Sequence, residues 1–194
     1  MKRHLILFLV FAFVIFAASQ NLLNSQADAP KKTKDKSSSS EEKKTTFTWY
    51  KYDDGLAKAK KEKKHIMLHF YTNWCGWCKR MDRYTFGDEE VKKVLNESYV
   101  AVRVNGQSGE KVKLDGKEIT KRQVASMYRV RAYPITWFLR PSGERIAPRQ
   151  GYADAEEFLY ILNWVKDDLY EKTSFQEFVK QEQKKQNPKK KENK

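Results

Sequence analysis

Hydrophobic positions follow a regular pattern from Thr45 to Tyr170 and lose it on either side. Phe47–Tyr50 is a short strand candidate, and Asp53–Lys64 reads as a lysine-rich surface helix. The run His65-Ile-Met-Leu-His-Phe-Tyr71 is largely apolar and suits a strand covered on both faces. A turn holding Cys75 and Cys78 then opens a helix towards Tyr84, and Asp88 caps a further helix through Leu95. Tyr99–Val104 is the next strand, and Asn105–Lys117, with three glycines, is a polar excursion or small hairpin. Thr120 caps a helix through Met127. Ile135–Leu139 is a strand, and the turn Pro141-Ser-Gly-Glu144 leads to a short returning strand at Arg145–Ala147. Asp154 caps a helix to about Tyr170, and Ser174-Phe-Gln-Glu177 is a capping box for a last short helix. Strands alternating with helices predict an α/β fold, a central mixed β-sheet flanked by helices on both faces.

The flanks read differently. Lys2, Arg3 and His4 precede an apolar run from Leu5 to Ala18, and small residues lead to Ser19, so 1–19 reads as an export signal. An uncleaved signal anchor is the alternative, and either places the rest outside the cytosol, where disulfides persist. Residues 20–44, with six lysines and Ser37–Ser40 in a row, bury too little apolar surface to order and form a disordered tether. Residues 171–194 hold the short helix and, from Gln181, a basic disordered tail. The 194-residue chain carries a formal charge of +14, yet residues 45–170 hold 23 basic and 17 acidic side chains, only +6. The remaining charge sits in tails without interleaved aromatics, which argues against specific nucleic-acid binding and for weak attraction to anionic surfaces.

With the domain so bounded, Trp74-Cys75-Gly76-Trp77-Cys78-Lys79 is the segment that carries evident chemistry. A thiolate at a helix N-terminus meets unpaired N–H groups and the positive end of the dipole, which favour ionisation. Cys75 at the turn is therefore expected to be exposed and nucleophilic, with Cys78 shielded one turn along and close enough to resolve a mixed disulfide. Gly76 permits close approach, and Trp74 and Trp77 form an apolar collar. A structural zinc site would need two more soft ligands, and the chain has only His4, His65 and His69, so no metal is expected. Covalent haem attachment requires histidine where Lys79 stands, and an inert disulfide closing a two-residue loop would staple almost nothing.

The stretch Phe70–Lys79 resembles the active-site motif of the thioredoxin superfamily. Val130-Arg-Ala-Tyr-Pro-Ile-Thr-Trp-Phe-Leu139, with Pro141–Glu144 and Gly151, resembles its cis-proline loop, following hairpin and last glycine. Within that superfamily Cys75–Phe86 is most similar to the C-terminal domain of periplasmic thiol–disulfide interchange proteins. The resemblance implies a thioredoxin-like fold, Cys75 as attacking and Cys78 as resolving cysteine, and a redox-active Cys75–Cys78 disulfide without further cofactor. It also implies a cis Tyr133–Pro134 bond and a substrate groove around Trp74, Gly76, Trp77, Tyr133 and Pro134. The family often has a buried Asp six residues before the first cysteine, where this chain has His69. That histidine is either a core residue bonded to backbone or a proton acceptor for Cys78.

The implied function is an exported thiol–disulfide oxidoreductase, placed in the periplasm with secretion as the alternative. Its partners would be protein disulfide substrates and a membrane or exported thiol reductant. No histidine stands between the cysteines, and Trp77 is expected to desolvate the thiolate, which favours a reductase; Lys79 and Arg80 push modestly the other way. The alternative is a non-catalytic binding module that holds clients through the same groove.

Overall fold

A computed structural model describes residues 46–186. The expected export signal, the expected tether and the end of the expected basic tail lie outside these residues. Strand β1 (Trp49–Tyr50) leads into α1 (Tyr52–Glu62), β2 (His65–Tyr71), α2 (Gly76–Tyr84), α3 (Glu89–Ser98) and β3 (Tyr99–Asn105). A hairpin of β4 (Lys111–Leu114) and β5 (Lys117–Thr120) precedes α4 (Lys121–Met127), β6 (Ile135–Leu139), β7 (Arg145–Gln150), α5 (Ala155–Lys166) and α6 (Phe175–Gln186).

Five strands form one sheet in the order β1-β3-β2-β6-β7, and β4-β5 pair separately. β2 lies parallel to β3 with His65 opposite Tyr99 and Tyr71 opposite Asn105, and antiparallel to β6 with Phe70 opposite Ile135. The sheet is therefore mixed, and β2 is its centre. Alternate residues of β2 feed two cores, as the two-residue period requires. Ile66, Leu68 and Phe70 join Val100, Val102 and Val104 under Tyr52 and Ala59 of α1 and Val124 and Ala125 of α4. Met67 joins Ala101 and Phe138 under Met81 of α2, Val91 and Leu95 of α3, and Phe158, Leu162 and Val165 of α5. Burial of side chains such as Phe70 and Phe158 contributes about 1.5–3 kcal/mol each.

The expected caps are in place. The Asp88 carboxylate accepts from the N–H groups of Glu90 and Val91, both at 3.0 Å, and Thr120 and Gln123 cap α4 reciprocally. Several boundaries differ from expectation by two or three residues, and the last two helices differ most. α5 stops at Lys166, not Tyr170, because Asp168 takes a left-handed backbone (φ 51°) and Asp167 and Asp168 put negative charge at the negative end of the helix. A single 3₁₀ turn, Leu169–Glu171, carries the chain on. The last helix is longer than expected. It runs through Gln181 to Gln186 because its apolar side is seated: Phe178 is buried and Phe175 lies 5.6 Å from the Trp164 ring.

Candidate active site

The two cysteines lie where β2 hands over to α2. Cys75 is the N-cap of α2, with an extended backbone, and its Sγ accepts the Cys78 N–H at 3.0 Å. Its carbonyl accepts from Lys79 N–H at 3.2 Å. The sulfurs are joined as a disulfide, S–S 2.02 Å, with the Cα atoms 5.2 Å apart. No acidic residue stands in the first turn of α2, so the helix end is uniformly electropositive.

Exposure of Cys75 is not as the sequence suggests. Its residue exposure is 4%, against 1% for Cys78. The N-cap position turns the Cys75 side chain back over the first helical turn, where the Cys78 N–H holds it. In the closed disulfide each sulfur also occupies the open side of the other. The collar is more open than expected as well. Trp74 and Trp77 remain 67% and 57% exposed, each leaning on a tyrosine. Trp74 meets Tyr133 edge-on at 6.3 Å, and Trp77 rests 5.5 Å from Tyr152. Trp77 therefore covers the sulfurs less than its place in the motif suggests.

The Tyr133–Pro134 bond is cis, and the Pro134 carbonyl accepts the Gly151 N–H at 2.8 Å, tying the loop to the end of β7. The Trp74–Tyr133 contact brings this loop beside the start of α2. A methyl group added at Gly76 would meet no atom within 4 Å, so that side of the dithiol is free for another molecule.

The segment after β3 walls the site on a further side, a role its sequence did not reveal. Trp74 donates its indole N–H to Gln107 Oε1 at 2.8 Å, and Asn105 bonds Asn73 at 3.3 Å. A Cβ at Gly106 would stand 2.3 Å from the Tyr133 hydroxyl oxygen, so only glycine leaves that ring its place. The signal for this wall was Gly106 directly after a strand; its partner, Tyr133, is distant in sequence. Tyr152 and Arg80 were likewise missed as neighbours of Trp77.

His69 is fully buried under Trp49 and Phe86, with ring centroids 5.9 and 5.0 Å away. Its Nδ1 bonds the Thr136 hydroxyl at 2.9 Å, a side-chain partner where backbone was expected, and its Nε2 has no partner among the described residues. Burial, with a smaller contribution from the Arg103 cation, lowers its pKa to about 3. Arg103 stacks on Tyr71 at 4.0 Å and pairs with Asp82 of α2 at 2.7 Å. The imidazole is thus neutral near pH 7 and too weak a base to hold a thiol proton there.

Comparison with known proteins agrees with this geometry. A family profile described as a thioredoxin-like domain matches residues 52–166. Over 102 residues the chain is 28% identical to the thiol:disulfide interchange protein DsbD of Actinobacillus pleuropneumoniae, covering 52% of this chain and 16% of that protein. It is 30% identical over 104 residues to protein disulfide-isomerase of Gallus gallus, covering 53% of this chain and 17% of that protein. The chain thus spans less than a fifth of the length of these curated relatives. Among solved structures, a thioredoxin from Thermus thermophilus superposes with a TM-score of 0.52 at 25% identity, covering 62% of this chain and 87% of that one.

Proposed function

The chain belongs to the thioredoxin-like domain family, and on that premise we propose that it is an exported reductase of protein disulfides, periplasmic, with Cys75 as nucleophile and Cys78 as resolving thiol. The observation that carries the reading is the Cys75–Cys78 pair at the N-terminus of α2, with the Cys75 sulfur already accepting a backbone N–H. That N–H and the helix dipole stabilise a thiolate on Cys75 once the pair is reduced. The Cys75 thiolate attacks one sulfur of a client disulfide, forming a mixed disulfide and releasing one client thiolate. Cys78, deprotonated, then attacks Cys75 Sγ, closing the protein's disulfide and releasing the second client thiolate. Two electrons and two protons pass to the client, and an exported or membrane thiol reductant restores the dithiol.

Tyr133 offers its backbone, just before Pro134, to an extended client segment, and Trp74, Gly76 and Trp77 flank the sulfur. His69 in this reading is a structural core residue, and the Cys78 proton leaves to water or to the departing client thiolate. Export rests on the basic and apolar start of the chain, and the lysine-rich stretch 20–44 is a tether. No cofactor beyond the disulfide takes part.

The absence of a histidine between the cysteines favours a reducing pair, on a scale running from about −270 to about −120 mV. Insulin reduction by the parent and by Cys75→Ser tests the activity. Turbidity is expected from the parent and absent in the variant, and equal turbidity would favour the binding-module alternative. Equilibration with glutathione tests the direction: a potential near the oxidising end would reverse it.

A further inference from the structure

A groove of about 490 Å³ runs along the solvent face of α2, lined by Gly76, Trp77, Lys79, Arg80, Arg83 and Tyr84. It starts at Gly76, the residue after the proposed nucleophile. The Arg80 guanidinium carbon stands 5.6 Å from each of three ring centroids, those of Trp77, Tyr84 and Tyr152. Arg83 lies 5.9 Å from the Tyr84 ring. Rings around a guanidinium hold its plane and leave its N–H edge for a carboxylate, which it grips bidentately. Yet none of Lys79, Arg80 and Arg83 is paired with a carboxylate among the described residues, and all three are exposed. The one acidic residue of α2, Asp82, is already engaged by Arg103. Exposed Trp, Tyr and Arg are the side chains that carry binding energy at protein interfaces, and these contribute little to the core.

We infer that this groove seats an acidic stretch of the client polypeptide, with client carboxylates on Arg80 and Arg83. The inference rests on the thiol–disulfide reading above and adds a substrate class to it. Arg80 and Arg83 stand about 8 and 12 Å beyond Cys75 along the helix axis, at about 1.5 Å per residue. An extended client covers that span in about two to four residues at about 3.3 Å each. The preferred client therefore carries Asp or Glu at those offsets from its reacting cysteine. Three cations are fewer than the clusters of about four to eight that mark anionic membrane surfaces, and the aromatic walls suit side chains better than headgroups.

The test uses the full chain, reduced, and two peptides that each close one internal disulfide. One has Glu at the second to fourth positions from the cysteine, the other Gln. Each rate is divided by that peptide's rate with free dithiothreitol, which removes intrinsic differences in the disulfide. At low ionic strength the Glu peptide is expected to react about fivefold faster, with the difference vanishing at about 0.5 M salt. Arg80→Gln with Arg83→Gln brings the Glu peptide down to the rate of the Gln peptide, and Arg80→Lys retains part of the preference. Equal rates in the parent at low salt, or a preference that survives the double variant, overturn the inference and leave the reductase reading standing. Cosedimentation with phosphatidylglycerol vesicles, abolished by the double variant while the peptides react equally, overturns it in favour of a membrane surface. Failure to reduce either peptide refutes the thiol chemistry itself, and the inference with it.

Discussion

His69 shows how strongly one position depends on its surroundings. A histidine in water titrates near 6.5, but this one is sealed beneath Trp49 and Phe86, and its pKa falls to about 3. Between those values the unfolded chain holds a proton at this position and the folded chain does not. Stability therefore rises with pH across that window and is lost as pH falls from about 6.5 towards 3. His65, also lowered mainly by burial, acts in the same direction. Urea unfolding at several pH values is expected to show a decline of a few kcal/mol towards acid, much of it removed by His69→Leu, while insulin reduction at pH 7 persists in that variant. A pH–rate profile for mixed-disulfide resolution that changes in His69→Leu would restore the proton-acceptor role.

At the scale of elements, the site is an assembly of segment ends: the end of β2, the first turn of α2, the cis-proline loop before β6, and the segment after β3. Their mutual support is visible in Trp74, which contacts Tyr133 on one side and Gln107 on the other. Gly106 is the joint between two of these ends. In Gly106→Ala the new methyl pushes the Tyr133 ring aside, because its hydroxyl and nearest ring carbon would lie 2.3 and 2.8 Å away. Misplacement of a positioning group by about 1 Å lowers rate far more than stability, so client disulfide reduction is expected to fall about tenfold. The thermal midpoint is expected to move by only a few degrees. Unchanged kinetics would show that the Tyr133 ring does not position the client.

For the whole molecule, the two cores lie on opposite faces of the sheet, and α6 closes the edge of one of them. Phe178 is 6% exposed, Phe175 packs on Trp164, and the Trp164 indole N–H donates to the Thr173 carbonyl at 3.1 Å. Phe178→Ala is expected to lose roughly 3 kcal/mol in urea unfolding, the usual cost of removing a buried phenyl group. A loss below about 0.5 kcal/mol would mean that α6 is an appendage, as the reading of 171–194 as a short helix and tail implies.

Sequence alone determined what depends on near neighbours. The β2 run, the caps Asp88 and Thr120 and the cysteines at a strand-to-helix turn all follow from local periodicity, turn chemistry and hydrogen bonds within a few residues. Resemblance added the cis bond at Pro134. Tertiary structure alone decided what depends on residues far apart in the chain. It sealed His69 between β1, β6 and the segment after α2, set Gly106 against Tyr133, and drew Tyr152 over Arg80 and Trp77. It also buried Cys75 more than its motif implied and let α6 extend over Trp164. Desolvation and ring packing are sums over neighbours that only the folded chain brings together, and no window along the sequence contains them.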